Sequence, residues 1–303
     1  MDRFQEMKVL LAVAEAESFI GGAKSMGLSP PSVTRIIATL ERRLGAVLLA
    51  RSTRSLRLTE AGRRYVEDCK RILQELDEAE EQASGSNLRA RGNLTVTAPV
   101  LFGEQFLIPV IAQYLADHPE VTVKALLVDR LVNMIDEEVD VAVRIGHLAD
   151  SSLEAMNVGQ IRPVVCASPA FLDRVGRPGT PHDLLAHPAV LAASSNLLAG
   201  WQFDAPDGAL TLNIEPRLVV SSNQAAINAV RVGGGFTRVL SYQVADYVAR
   251  GELEIVLDAF ATAPFPVHIL YQGDRRVSAK VRTFVDHCAA CFQQNPALRL
   301  NPA

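Results

Sequence analysis

Nine basic residues stand between Lys24 and Arg64: Lys24, Arg35, Arg42, Arg43, Arg51, Arg54, Arg57, Arg63 and Arg64. Only Glu41 and Glu60 oppose them, so this segment carries a local charge of +7 in a chain of 303 residues whose net charge is −4. A basic segment on an otherwise acidic protein is the electrostatic footprint of a phosphate-binding module; a solvated cationic face is the alternative. Other chemistries are weakly represented. Cys288-x-x-Cys291 is a single pair in an expected helix, with no second pair and no clustered histidines to complete a metal site. A redox role would need an exposed thiol of low pKa, so reduced, partly buried cysteines are the simpler reading. Gly233-Gly234-Gly235 lacks the order of a phosphate-binding loop, and no GxSxG, HExxH or GxxxxGKS/T motif occurs. No catalytic constellation, cofactor or metal is expected.

The cationic residues need elements to aim them. Ser18 is a suitable N-cap for a helix from Phe19 to about Met26, with Gly27 after it. Ser29 caps a second helix whose first turn holds Pro30 and Pro31, where missing N–H groups cost little. On that helix Val33, Ile36, Ile37, Leu40 and Leu44 form a buried stripe. Pro31, Thr34, Arg35, Ala38 and Arg42 form the opposite face, which is small, hydroxylated and cationic and suits a major groove. Leu56 and Leu58 alternate with Arg57 as in one strand of a hairpin, with Arg51 and Arg54 at or near its tip. A cationic hairpin beside a reading helix is a wing.

These residues resemble the DNA-binding region of LysR-type transcriptional regulators. The matching string includes Ser18-Phe19, Ala23, Gly27-Leu28-Ser29-Pro30-Pro31-Ser32-Val33-Thr34-Arg35, Leu40-Glu41-Arg42-Arg43-Leu44-Gly45, Arg51-Ser52-Thr53-Arg54 and Leu58-Thr59-Glu60-Ala61-Gly62. The resemblance implies DNA contacts at Ser29, Pro30, Pro31, Ser32, Thr34 and Arg35 on the helix, and at Arg51 and Arg54 on the wing. Two departures stand out. Pro30 replaces a usual Gln, and Gly21 and Gly22 replace usual alanines, each at about 1 kcal/mol of helix propensity.

Thr59 caps an expected helix reaching about Ala83, roughly 37 Å long. Tyr65, Cys69, Ile72, Leu76, Ala79 and Ala83 recur at alternating steps of four and three, a dimerising a/d seam. Packing of that face on the helix's own domain is the alternative. The resemblance implies a dimer, or a tetramer built from dimers, on an interrupted inverted-repeat operator in double-stranded DNA, with RNA polymerase as a further partner.

From Leu94 onward short apolar strands alternate with amphipathic helices, which predicts an α/β unit with mostly parallel sheets. The expected strands are 94–98, 121–128, 139–145, 163–167, 189–193, 218–221, 236–240 and 267–272. The expected helices are 104–117, 131–137, 223–232, 242–250 and 278–294. The stretches Thr97-Ala98-Pro99-Val100, Asp140 to Gly146 and Thr237-Arg238-Val239-Leu240-Ser241-Tyr242-Gln243-Val244 are similar to the family's effector domain. The fold class is thus α/β with an N-terminal all-α winged helix-turn-helix. A long linker helix joins that head to a two-subdomain, periplasmic-binding-protein-like effector domain.

The expected divisions are 1–58, 59–90 and 91–303. The last splits into a first subdomain (about 91–162 and 267–303) and a second (about 163–266), with crossings near Arg162 and Phe265-Pro266. Ligands of such sheets bind at strand carboxyl ends and helix N-termini. That points to Ala98, Pro99, Val100, Phe102, Asp129, Arg144, Gly146, Ser194, Asn223 and Phe265, with Trp201 and Phe203 as further apolar walls. Arg144 would meet a ligand carboxylate, or simply Asp129. The first residues lack a secretory leader pattern and no long uncharged apolar run occurs, so a cytoplasmic regulator without membrane contact is expected. A transport-type solute-binding protein and an α/β enzyme are the competing classes.

Overall fold

The computed structural model describes residues 2–51, 56–84, 89–148, 153–193, 200–272 and 278–299. The chain forms two compact units, Met1–Leu88 and Arg89–Ala303. In the first, helices α1 (Arg3–Glu15), α2 (Phe19–Ser25) and α3 (Pro30–Leu44) precede the hairpin β1 (Leu49–Arg51) and β2 (Leu56–Leu58), and α4 (Glu60–Ser84) follows. Each start is set by a side chain. Asp2 accepts from the Phe4 amide, Ser18 from Gly21 and Ser29 from Ser32. Thr59 Oγ1 accepts from Gly62 N at 2.9 Å. Gly45 ends α3 in the left-handed region, φ 67°. Val9, Leu10, Val13, Ala23, Val33, Ile36, Ile37 and Leu40 close one core.

The glycines at 21 and 22 are packing devices as well as a propensity cost. A Cβ on Gly22 would lie 2.7 Å from Val13 Cγ2 and 2.8 Å from Val13 N, so the close approach of α2 to α1 needs a bare backbone there. A Cβ on Gly62 would lie 2.0 Å from the Leu48 carbonyl oxygen, which fixes α4 against the root of the hairpin.

The second unit is built on two sheets. The first has the order β4-β3-β5-β14-β6, from β3 (Gly92–Ala98), β4 (Val121–Leu127), β5 (Val141–Ile145), β6 (Leu153–Ile161) and β14 (Phe265–Gln272). Strands β3, β4 and β5 run parallel, but β14 is antiparallel to both β5 and β6. The second sheet has β7 (Pro163–Ala167) between β12 (Thr237–Leu240) and β13 (Glu254–Val256), both antiparallel to it. A parallel pair, β8 (Val190–Ala192) with β11 (Leu218–Val220), continues it through a bridge from Ala189 to Phe236. The expectation of mostly parallel sheets is therefore corrected to mixed sheets. The reason is the returning β14, which enters the first sheet head to tail with its neighbours.

Helices α5 (Val100–Phe102) and α6 (Ile108–Asp117) are joined by a π turn over Gly103–Leu107 and, with α10 (Ala279–Gln294), cover one face of the first sheet. The Tyr114 hydroxyl meets Thr283 Oγ1 at 2.9 Å and so ties α6 to α10. In the second half α7 (Pro169–Val175), α8 (Asn223–Arg231) and α9 (Ser241–Ala249) accompany the sheet, and β9 (Trp201–Ala205) forms a hairpin with β10 (Gly208–Leu212).

The helix expected over 131–137 is a series of turns instead. The Asn133 side-chain oxygen accepts from Ile135 N at 3.1 Å, an Asx turn that competes with the helical ladder. Arg130 closes the loop on Glu137 with bonds of 2.6 and 2.5 Å. Among the described residues, no helix is long and apolar enough to cross a membrane.

Candidate DNA interface and effector cleft

The outer face of α3 is held ready by its surroundings. Ser29, Pro30, Pro31 and Arg35 are exposed, with Ser32 and Thr34 half-exposed beside them. Ser29 Oγ also meets Ser32 Oγ at 2.8 Å, so part of the hydroxyl capacity of the first turn goes to capping. Arg35 and Arg42 have no hydrogen-bond or ion-pair partner among the described residues. Arg43 is different. It bonds the buried Glu6 of α1 at 2.6 Å, which raises its pKa, and it serves the fold of the head. Glu41 is equally structural: its Oε1 accepts from the amides of Leu48 at 2.7 Å and Leu49 at 3.1 Å, clamping the start of the hairpin to α3. The two acids of the basic segment are thereby spent, since Glu60 pairs with Arg64. The pairing Leu49 to Leu58 and Arg51 to Leu56 forms the wing expected from the alternation. The Arg51 side chain and Arg54, the wing contacts, lie outside the described residues.

The second candidate region is the strand-end edge of the first sheet. The Asp129 carboxylate accepts from Val100 N at 3.0 Å, and Val128 N donates to Ala98 O at 2.9 Å, so β3, β4 and the start of α5 are laced together. Gly146 N donates to Pro266 O at 2.9 Å, bringing the end of β5 to the entry of β14. Asp129 is thus committed to the loop and makes no ion pair with Arg144. Arg144 stands opposite His268 in the β5–β14 ladder. Its Nη1 donates to the Val143 carbonyl at 3.2 Å, while its Nη2 and His268 Nδ1 are buried without partners. Glu137, whose charge reaches Arg144, is already held by Arg130. Burial lowers the Arg144 pKa, with Glu137 opposing. Burial likewise lowers His268, against a backbone bond with Gly146. Arg144 Nη2 is thus a buried donor without an acceptor, a position suited to an anion.

Several expected wall residues belong elsewhere. Ala98 is fully buried in the core of the first half, and so is Phe102. Phe102 stacks among Phe106, Tyr242 and Phe292 at centroid distances of 4.9, 5.9 and 5.5 Å. Phe102 follows Pro99 by less than one turn, and the π turn after it rotates the ring inward. Trp201 and Phe203 close the core of the second half through the β9–β10 hairpin. Pro99, Val100, Asp129, Gly146, Asn223 and Phe265 remain half-exposed, Phe265 with its ring edge-on to His147. Asn223 opens α8, capped by Ser222. Ser194 lies outside the described residues.

Residues 88–293 match the LysR substrate binding domain, and residues 4–63 match the bacterial regulatory helix-turn-helix protein of the lysR family. The chain belongs to the LysR family of transcriptional regulators. An HTH-type transcriptional regulator of Xanthomonas campestris pv. campestris is 34% identical to the regulator over 92% of this chain and 82% of its own length. The HTH-type transcriptional activator AaeR of Escherichia coli K12 is 32% identical over 96% of this chain and 94% of its own. Among solved structures, the LysR-type regulator CrgA of Neisseria meningitidis has a TM-score of 0.62 at 28% identity, covering 95% of this chain and 98% of that one. Full-length AphB of Vibrio cholerae, a virulence activator, has 0.61 at 25% identity, covering 95% and 99%. The regulator is therefore a DNA-binding transcription factor and not an enzyme, and its first unit is the DNA reader.

Its linker helix departs from the expected seam. Val66, Cys69 and Leu73 are buried, Cys69 completely, and Tyr65 packs on the same head core. Tyr65 and Cys69 are thus corrected from dimer positions to positions that bind α4 to the rest of the head. The stripe the head uses runs through Gly62, Val66, Cys69 and Leu73, one residue round from the Tyr65-to-Leu76 reading. Ile72 and Leu76 are half-exposed, and the side chain of Ala79 lies outside the described residues.

Sequence reasoning also missed His268, which has no motif of its own, and a hollow between α5 and the α8–α9 pair. There Leu101, Glu104, Gln224, Tyr242 and Tyr247 surround a hollow of about 290 Å³ that is partly open to solvent. Leu101 packs against the cores of both halves of the regulatory unit. Of the cysteines, Cys288 is buried in the core with its thiol pushed above the usual range, and Cys291 lies 3.8 Å from His287 Nε2. Burial of this kind makes a thiol inert. Among the described residues, no group of three or more His, Cys, Asp or Glu side chains is placed to hold a metal.

Proposed function

We propose that an anionic small molecule, bound at the strand ends of the first sheet, sets the DNA affinity of this regulator. One observation carries the reading: Arg144 Nη2 is buried without an acceptor at the carboxyl end of β5. A half-buried guanidinium without a carboxylate partner is costly, and a ligand carboxylate would satisfy it. Pro99, Val100, Gly146, Asn223 and Phe265 would surround the rest of the ligand. A ligand shifts the protein only by its differential affinity for two conformations, so binding must alter operator affinity, DNA bend or footprint.

On the DNA side, Pro30, Pro31, Ser32, Thr34 and Arg35 would enter the major groove, with Arg51 and Arg54 on the backbone or in the minor groove. Two heads of a dimer paired through Ile72 and Leu76 of α4 would require an interrupted inverted repeat. Tetramer formation and contact with RNA polymerase extend the same reading. The test is a thermal-shift screen of carboxylates, aromatics and quinones, since a ligand at 100 times its Kd adds about 2.7 kcal/mol. A hit should change the operator shift in the wild type and lose both effects in Arg144→Met. A hit that acts equally on Arg144→Met would sink the anion-site assignment.

A further inference from the structure

The first turn of α3, Pro30-Pro31-Ser32, has no backbone donor left to offer. A helix normally opens with amides that no carbonyl of its own can satisfy, and these are free to meet a partner. Here two of the three do not exist, because prolines occupy the first two helical positions. The third is taken: Ser32 N donates to Ser29 Oγ at 3.3 Å. The next amide, Val33 N, already donates to Ser29 O at 3.1 Å in the helical ladder. The hydroxyls are partly used as well, since Ser29 Oγ and Ser32 Oγ meet at 2.8 Å and one proton lies between them. What the turn presents outward is the pair of pyrrolidine rings, both exposed.

That surface suits one feature of the major groove. Adenine, guanine and cytosine edges offer donors and acceptors, and thymine alone adds a methyl group at C5. A proline ring laid on a donor or acceptor removes its water and returns no bond, which is costly. Laid on a methyl, the ring buries apolar surface instead. A recognition helix sets its N-terminal residues on base edges, so the first turn is where this difference is read. Arg35 follows Pro31 by four residues and lies on the same face. Four residues rise about 6 Å along the helix, close to two base-pair steps of about 3.4 Å.

We propose that Pro30, backed by Pro31, is a specificity-determining contact that reads the 5-methyl group of a pyrimidine. The preferred base is thymine, about two base pairs from the base that Arg35 reads. 5-Methylcytosine, which carries the same methyl, is accepted in its place. The proposal rests on α3 as the helix that enters the groove, and it names what the first turn selects there. A glutamine at this position would bring an amide able to bond adenine N6 and N7. Proline in its place exchanges an adenine reader for a methyl reader.

The full-length protein should first select its own operator from a random duplex library. Each thymine of that operator is then replaced singly by deoxyuracil, which removes the methyl and nothing else, and affinity is read by fluorescence anisotropy of labelled DNA. In the wild type, a thymine about two base pairs from the position relaxed by Arg35→Ala should lose about fourfold in affinity as deoxyuracil, the value of one buried methyl. At the same position 5-methylcytosine should bind about fourfold better than cytosine. In Pro30→Gln the deoxyuracil penalty should vanish, and a repeated selection should move that position to adenine. The variant should melt close to the wild type, because the first helical position needs no particular N–H. An enriched operator with no deoxyuracil penalty at any thymine would overturn the methyl contact and leave α3 as the reader. A penalty undiminished in Pro30→Gln would also overturn it, by assigning the methyl to another side chain. A library from which no sequence is enriched would overturn groove reading by α3 and the proposal with it.

Discussion

The two units of this regulator differ in where cations without partners are found. In the head, charges that help fold the unit are paired, while two cations on the outer face of α3 are bare. Arg43 holds Glu6 and Glu41 clamps the hairpin root, while Arg35 and Arg42 have no partner among the described residues. In the regulatory unit exposed cations such as Lys124, Arg217 and Arg282 are bare as well, but two cations without partners among the described residues, Arg144 and Arg238, are withdrawn from solvent. The lesson is that a DNA surface keeps its cations hydrated until phosphate arrives. If the proposed anion site is right, the regulatory unit keeps a cation dry, where its unsatisfied state would make anion binding selective. Dry cations cost stability in the free protein, so that cost should be recoverable by mutation in one unit and not in the other.

The sharpest break of this comparison is steric. Gly62→Ala would drive a Cβ toward the Leu48 carbonyl and should cost the head ~3 kcal/mol or more. Operator binding should fail while the Trp201 fluorescence melt, which follows the regulatory unit, stays in place. A coincident loss of both would show that the units do not melt separately. Next in size, Arg35→Ala should weaken operator binding by about 1–3 kcal/mol and relax specificity at one base pair, with the melting temperature unchanged. Equal affinity for wild-type and altered operators in both proteins would remove Arg35 from base reading.

Ile72→Asp combined with Leu76→Asp should place carboxylates on the half-exposed side of α4. Sedimentation should then show a smaller species with weaker operator affinity; an unchanged mass would assign self-association to another surface. Arg144→Met should abolish the effector response without lowering the melting temperature of the free protein, since the guanidinium lacks an acceptor there. A melt lower by several degrees would place Arg144 among the structural ions, with Arg43.

The smallest effect is in pH. The folded pKa of His268 lies below its usual 6.5 because burial disfavours the cation. Its contribution is fully present above that value and is lost as pH falls from there toward the folded pKa. His268→Asn should therefore show a flatter melting temperature between pH 7 and pH 5, to roughly the extent that one half-buried histidine can contribute. Identical slopes would mean that His268 titrates as if exposed.

The head was legible because its determinants are local. The Ser29 cap, the paired prolines, the stripe from Val33 to Leu40 and the left-handed Gly45 all lie within one helix of each other, and α3 forms as expected over Pro30–Leu44. The misreading on α4 has the same source. Two apolar stripes one residue apart share Cys69, and periodicity alone cannot tell which of them the head keeps. In the regulatory unit the strands of the α/β alternation were largely visible, and the site was not. Arg144 was identifiable as a cation at a strand end, whereas His268 becomes its neighbour only through pairing across more than a hundred residues. The turns at 131–138 were mistaken for a helix because Met134 alone is buried there, while Leu131 and Ile135 are exposed. The hairpin β9–β10 had an available signal in Asp207-Gly208 between two apolar-alternating runs. Reading it would have moved Trp201 and Phe203 from the cleft to the core.

The late return of β14 sets a timetable. The head is complete once Leu88 has been synthesised, but the first sheet stays open until Phe265–Gln272 can slot between β5 and β6. At ribosomal speed that interval is roughly ten seconds or longer. For that time a nascent chain presents a finished DNA reader tethered to an unfinished regulatory unit. A truncation between residues 88 and 265 leaves a chain with a whole reader whose first sheet can never close, a ready source of regulators that bind DNA without a complete regulatory unit.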